Sequence, residues 1–318
     1  MLIKKNKNEL PKVVVILGPT ASGKTKLGIT LALKFNGEII SADSRQVYQG
    51  MDIGTGKDLK EYQVGKNKVP YHLIDVVSPK AEFNLAFYQK LAFEAIKDIL
   101  KRKKLPIIVG GTGLYLQALV DNYNLSSVKP DFSKREKLEA LSVLELFARI
   151  EKLKPEFAAK INNSDKNNPH RLVRYLEILE NGKSVAIGKK KEKYNFLIFG
   201  IDISDDKMRS KIKQRIVSRL ENEEMLEEIK RLHREGITYQ RLISFGLEYK
   251  YIAQYLQDKI NYDEMVDKLS TATYRFAKHQ KTWFRRWEKQ GKEINWLKNI
   301  KEADRLLASF LSDEQKNK

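Results

Sequence analysis

An α/β fold is predicted for this chain: a P-loop-type parallel sheet flanked by helices, with an inserted helical subdomain and a helical C-terminal region. Three observations predict it. A phosphate-cradling loop follows directly on an apolar run, strand and helix signals alternate through the first third, and a late apolar run returns after a long charged helical stretch. The loop comprises Gly18, Pro19, Thr20, Ala21, Ser22, Gly23, Lys24 and Thr25, fills every position of G-x-x-x-x-G-K-[ST], and follows Val13 to Leu17. Its glycines let backbone N–H groups curl around an anion. Lys24 brings a mobile positive charge, the Thr25 hydroxyl can hold a magnesium ion, and a helix N-terminus adds its partial charge. The loop alone does not select the phosphate, since nucleotide hydrolases, small-molecule kinases and transferases of other diphosphates all use it.

The elements follow in order. A helix from about Gly23 to Phe35 leads to a strand from Glu38 to Ala42 that ends at Asp43. Tyr71 to Val77 reads as another strand. Phe83 to Lys104 has helical periodicity and closes on the basic run from Lys101, and Pro106 to Val109 is a strand broken by Gly110 and Gly111. In a parallel sheet the ligand site lies beyond the carboxyl ends of the strands, so Gly18, Asp43 and Gly110 to Thr112 converge there. From residue 121 to 193 charged amphipathic helices take over. Tyr194 to Ile201 then reads as a buried strand that rejoins the sheet, and the chain is helical from Ser204 almost to its end. Residues 1–120 and 194–318 are therefore expected to form the core, and 121–193 an inserted helical subdomain.

With 318 residues and 42% hydrophobic content the chain can bury a large core. No stretch approaches the roughly 18 apolar residues of a membrane span, and the basic start from Met1 to Asn8 leaves no room for a signal peptide, so a cytoplasmic location is expected. There are no cysteines, which excludes disulfides and thiolate zinc sites. His72, His170, His233 and His279 are scattered without ligand spacing and are expected in surface or structural roles. Sixty Lys and Arg against 41 Asp and Glu give a net charge of +19, spread along the chain, which suits a polyanionic partner.

Asp43 stands at the tip of the second strand, in Ser41-Ala-Asp-Ser44-Arg45-Gln46-Val-Tyr48. The residues alone leave three readings: a cap for the following turn, a magnesium ligand, or a general base. Six segments in one order then carry a resemblance. They are Gly18 to Thr25, Ser41 to Tyr48, Met51 to Thr55, Gly110 to Tyr115, Asn168 to Arg174 and Lys281 to Arg285. Together they resemble the tRNA dimethylallyltransferase (tRNA isopentenyltransferase) family, bacterial type, from about Val13 to Trp296. Its members transfer a dimethylallyl group from dimethylallyl diphosphate to N6 of the adenosine 3′ of the anticodon, position 37, in tRNAs reading codons that begin with U.

The resemblance implies roles. The loop from Gly18 to Thr25 would bind the diphosphate, with Mg2+ bridged to Thr25; Asp43 would be the base, and Lys24 and Arg215 would act on the leaving group. The tRNA anticodon stem-loop would be contacted by Asp43, Ser44, Arg45, Gln46, Thr112, Lys134, His170, Arg171, Leu172, Val173 and Arg174, with the adenine extruded into a channel. Read without the family, Arg215 is a solvated helix position, Thr112 a helix cap, and Trp283 with Trp287 either core residues or RNA contacts. Thr55-Gly-Lys57-Asp58, Ser244 to Lys250 and Lys278-His279-Gln280 depart from the family pattern, away from the chemistry. A monomer without membrane contact is expected. The rival functions are a small-molecule kinase using the same loop and a transferase prenylating free adenine nucleotides.

Overall fold

The computed structural model describes residues 10–126, 128, 131–185, 188 and 190–312; the basic stretch from Met1 to Asn8 lies outside them. All residues of β1 (Lys12–Leu17) are buried. Val13, Val15 and Leu17 join the core on one face of the sheet and Val14 and Ile16 the core on the other. That alternation is the two-residue period of a strand, and burial on both faces explains an apolar run without polar interruptions. After α1 (Lys24–Lys34) come β2 (Gly37–Ala42), a small antiparallel hairpin of β3 (Gln63–Val64) and β4 (Asn67–Lys68), and the short strand β5 (Tyr71–His72). Then follow α2 (Leu85–Lys101), β6 (Leu105–Gly110) and α3 (Gly113–Val120).

Residues Asn122–Lys191 form a separate compact unit, while Met1–Asp121 and Glu192–Lys318 form the other. The inserted unit carries α4 (Phe132–Glu139), α5 (Val143–Leu153), α6 (Pro155–Ala158), α7 (Asn163–Lys166) and α8 (Pro169–Glu180). Leu146, Ile150, Leu172, Val173 and Leu176 make its core. A capping box at Ser142 and Glu145 starts α5. On the side of the larger unit, Lys292 pairs with both flanks of the excursion, reaching Asp121 Oδ1 and Glu192 Oε1 at 3.4 Å each.

The chain resumes with β7 (Asn195–Gly200), α9 (Asp205–Asn222), α10 (Met225–Arg234), α11 (Tyr239–Ser244), α12 (Leu247–Tyr255), α13 (Tyr262–Lys289), β8 (Asn295–Trp296) and α14 (Ile300–Ser312). The sheet order is β5-β2-β6-β1-β7-β8, every adjacent pair parallel. Tyr88 and Ile96 of α2, Leu116 of α3, and Phe284 and Trp287 of α13 cover one face; Leu27 and Leu31 of α1 and Leu307 of α14 cover the other. Helices α9 to α13 build a further core that takes Val47, Tyr48 and Met51 from the segment after β2.

Two expectations are corrected here. The run from Tyr71 to Val77 joins the sheet only at Tyr71–His72, because Leu73 (φ 62°) and Asp75 (φ 57°) are left-handed and turn the chain out of it; Val77 makes a single isolated parallel bridge to Tyr48 instead. The turn delivers Asp75 to the buried Lys57, 2.5 Å away. The C-terminal region is also not helical throughout, since Asn295–Trp296 extends the sheet beside β7. Of the two readings for the tryptophans, the structure shows packing. Trp287 is 1% exposed and donates its Nε1–H to Asp121. Trp283 is half-buried and donates to Gln117, while Arg285 and Arg286 face outward. Among the histidines, His72 meets the buried Glu38, His233 stacks on Tyr239, and His170 and His279 are exposed.

Candidate active site

The carboxyl ends of β1, β2 and β6 bring the loop Gly18–Thr25, the Asp43 turn and Gly110–Thr112 together. The loop closes on Gly23, at φ 89°, a conformation a side chain resists, and Gly23 caps α1 without any side-chain acceptor. The first N–H groups of α1 are thus left for an anion. The Thr20 backbone N–H donates to Gln280 Oε1 at 2.9 Å, and Arg215 Nη2 donates to Thr20 Oγ1 at 2.7 Å. Gln280 also donates to the Gly111 carbonyl at 2.9 Å, tying the phosphate loop to the turn after β6.

Asp43 Oδ1 accepts the N–H of Arg45 at 2.9 Å and of Gln46 at 3.4 Å, so the capping reading holds for that oxygen. Oδ2 takes no hydrogen bond among the described residues. Thr112 does not cap α3. Its Oγ1 accepts the Ser44 N–H at 3.0 Å and fixes the strand tip that carries Asp43. Gln46 bridges Ser41 and the Gly56 carbonyl, both at 2.9 Å.

Two cavities open here, of about 370 and 360 Å³. One holds Gly23, Thr25 and Lys211; the other is walled by Arg45, Phe245, Glu248, Phe276 and Gln280. They share Thr20, Lys24, Asp43, Thr55 and Arg215, so an anion on the loop and a planar group among the aromatics can meet beside Asp43. Burial pulls Lys24 down to about 8, opposed by Asp43 and reinforced by Arg215. Arg215 is partly buried, its Nε fully so, and its pKa is lowered, chiefly by desolvation and then by Arg219. Its Nε and the Ser22 hydroxyl are buried without a hydrogen-bond partner among the described residues, and both can donate to acceptor oxygens. No cluster of three or more His, Cys, Asp or Glu suited to a metal occurs among the described residues. The Thr25 hydroxyl at the end of the loop is an oxygen donor that would suit a magnesium ion accompanying a diphosphate.

Lys134 and His170 to Arg174 belong to the inserted unit and are described there. Lys134 pairs with Glu180 at 2.5 Å, and Arg171 pairs with Asp165. Arg174 is turned inward to Glu177 and the Val128 carbonyl. Leu172 and Val173 are core residues, so their side chains hold that unit together. Of the six, only His170 and Arg171 are exposed. Thr55, Glu248 and Gln280 belong to segments expected to lie away from the chemistry, but they line the cavities, as does Phe276, which sequence reasoning passed over. The available signal for Gln280 and Phe276 was a polar and an aromatic side chain four residues apart on one helix.

A family model described as IPP transferase matches residues 46–287. The chain is 44% identical over 291 residues to a protein named tRNA dimethylallyltransferase 1 from Syntrophus aciditrophicus (strain SB), covering 91% of this chain and 94% of that protein. The crystal structure of the full-length tRNA isopentenylpyrophosphate transferase from Bacillus halodurans superposes with a TM-score of 0.68 at 35% identity, covering 96% of this chain and 98% of that one. A eukaryotic dimethylallyltransferase seen acting on tRNA gives 0.70 at 28% identity, over 86% of this chain and 69% of its own.

Proposed function

The chain belongs to the IPP transferase family, and on that footing we propose how its two joined cavities carry out the transfer of a dimethylallyl group to tRNA. The observation that carries the proposal is the junction of the cavities at Asp43, Lys24, Thr20, Thr55 and Arg215. The diphosphate of dimethylallyl diphosphate occupies the loop cavity, bound by the loop amides, Lys24 and Arg215. The acceptor adenine enters the aromatic cavity from the other side. In the transfer the C1–O bond of the donor breaks, the N6–C1 bond forms, and the N6 proton passes to Asp43.

An adenine N6 amine is a weak nucleophile, and a carboxylate with one oxygen held by backbone and the other unengaged can accept its proton. Negative charge grows on the departing diphosphate, where Lys24, Arg215 and the helix N-terminus act. Thr25 would help hold a magnesium ion there, which would further neutralise that charge. The acceptor is the adenosine 3′ of the anticodon, position 37, in tRNAs reading codons that begin with U, whose loop bases are already partly unstacked. His170 and Arg171 meet the tRNA backbone. One chain lines both cavities, and the enzyme works in the cytoplasm as a monomer. No helix among the described residues is long and apolar enough to cross a membrane.

The test is to incubate the protein with magnesium, dimethylallyl diphosphate and unmodified tRNA bearing adenosine after the anticodon, then to digest the RNA and weigh its nucleosides. N6-dimethylallyl adenosine on tRNA, absent with AMP and lost in Asp43→Ala, is the expected result. Product on AMP instead, or phosphate transfer from ATP, would overturn the proposal.

A further inference from the structure

Helix α10 contributes one acidic side chain to the interior, Glu228, 6% exposed. Its carboxylate receives four donors. The backbone N–H groups of Asp52 and Ile53 each donate to Oε2 at 2.7 Å, the N–H of Gly54 donates to Oε1 at 3.1 Å, and the Tyr249 hydroxyl donates to Oε1 at 2.7 Å. Gly54 lies so close to the Tyr249 ring that a Cβ there would stand 2.7 Å from it. A carboxylate can accept all four donors at once. A glutamine in its place would present an N–H to at least one of them.

The loop held in this way is the one that reaches the chemistry. Thr55 stands at the junction of the two cavities. The Gly56 carbonyl accepts Gln46 Nε2 at 2.9 Å, and the backbone N–H of Gln46 is bonded to Asp43 Oδ1. An unbroken series of hydrogen bonds and peptide units therefore runs from Glu228 through residues 52–56 and Gln46 to Asp43. The ends of the loop have other anchors, Arg231 on the Gly50 carbonyl at 2.6 Å and Arg219 on Asp58 at 3.0 Å. Lys57 is held by Asp52, Asp75 and the Tyr48 carbonyl. The carbonyls of Met51 to Ile53 are bonded within the loop itself, while the N–H groups of Asp52, Ile53 and Gly54 all go to Glu228.

We propose that Glu228 is a positioning residue for the transfer: it fixes the backbone from Asp52 to Gly54, and through Thr55, Gly56 and Gln46 it sets where Asp43 presents its carboxylate. The inference rests on the prenyl-transfer reading above. It assigns to α10, which lines neither cavity, a share in the alignment of base and acceptor, where small displacements are costly.

The test compares the full-length parent, Glu228→Gln and Tyr249→Phe with tRNA and dimethylallyl diphosphate, and follows amide hydrogen exchange in residues 51–58. In Glu228→Gln the turnover number falls about ten- to a hundred-fold. The KM for dimethylallyl diphosphate stays within about two-fold, and exchange quickens in 51–58 but not in β1. A uniform loss of fold would quicken both and raise that KM. Tyr249→Phe removes one donor and leaves the backbone bonds, so its turnover falls about five-fold, the worth of one hydrogen bond, and it serves if Glu228→Gln does not fold. Parent-like turnover in a folded Glu228→Gln whose loop exchanges faster overturns the inference, as does a loss expressed only in KM. Failure of the parent itself to prenylate tRNA overturns the underlying reading and is seen before any variant is made.

Discussion

The loop cavity takes its glycines, lysine and hydroxyl from one contiguous segment, Gly18 to Thr25, whereas the aromatic cavity is walled by Arg45, Phe245, Glu248, Phe276 and Gln280 from distant parts of the chain. In the first, a left-handed glycine and a helix start create the binding groups, so the shape follows from local backbone geometry. In the second, nothing local suffices. Arg45 is placed by Glu248 at 3.2 Å, and Gln280 spans Thr20 and Gly111. A site for a phosphate can be made by a motif, while a site for a base has to be assembled by packing. The two halves should accordingly respond to mutation in different kinetic parameters.

Asp43, where the halves meet, gives the largest effect. Asp43→Ala should lower turnover about a thousand-fold, within the range for loss of a general base, with diphosphate affinity nearly unchanged. Equal loss of both would show that the cavities are not separable. Next comes Lys24→Met, which should cost about a hundred-fold in turnover through the leaving group and weaken diphosphate binding as well. The pH dependence sharpens this. Lys24 is charged below about 8 in the free protein and loses its proton as pH rises through that value. Titration calorimetry should therefore show diphosphate binding weakening above that pH in the parent, with no such inflection in Lys24→Met.

Arg215→Lys should follow at about ten-fold, since an ammonium cannot reproduce the guanidinium fork that bonds Thr20 and, in the proposed reading, the diphosphate. The smallest effect belongs to the aromatic side. Phe276→Ala should raise the KM for tRNA up to about ten-fold, the worth of one stacking surface, and leave that for dimethylallyl diphosphate alone. A change in the diphosphate KM would instead place Phe276 on the donor's path.

What could be read from the residues follows the same division. The loop, the strand tips and the parallel sheet are local patterns, and Val13 to Leu17 announced a strand buried on both faces by having no polar member. Tyr71 to Val77 misled because its apolar content marks burial, while the sheet pairing was ended by two left-handed residues, one of which, Asp75, is ion-paired to Lys57. Arg215 shows the opposite case. A basic helical segment looks solvated until tertiary packing partly buries one arginine against Thr20, and only family resemblance pointed there. Glu228 carries no local signature, and Gln280 only its spacing from Phe276, since each acts by joining segments that the sequence keeps apart.

One lysine, Lys292, reaches both flanks of the excursion between Asp121 and Glu192. A chain that departs and returns within the span of a single side chain leaves the register of its sheet indifferent to what lies between. Such a gateway is a grafting point: the segment it encloses is free to be lengthened, trimmed or exchanged over evolutionary time. If that segment meets the RNA, as proposed above, exchanging it alters the choice of RNA while the bond-making centre stays fixed.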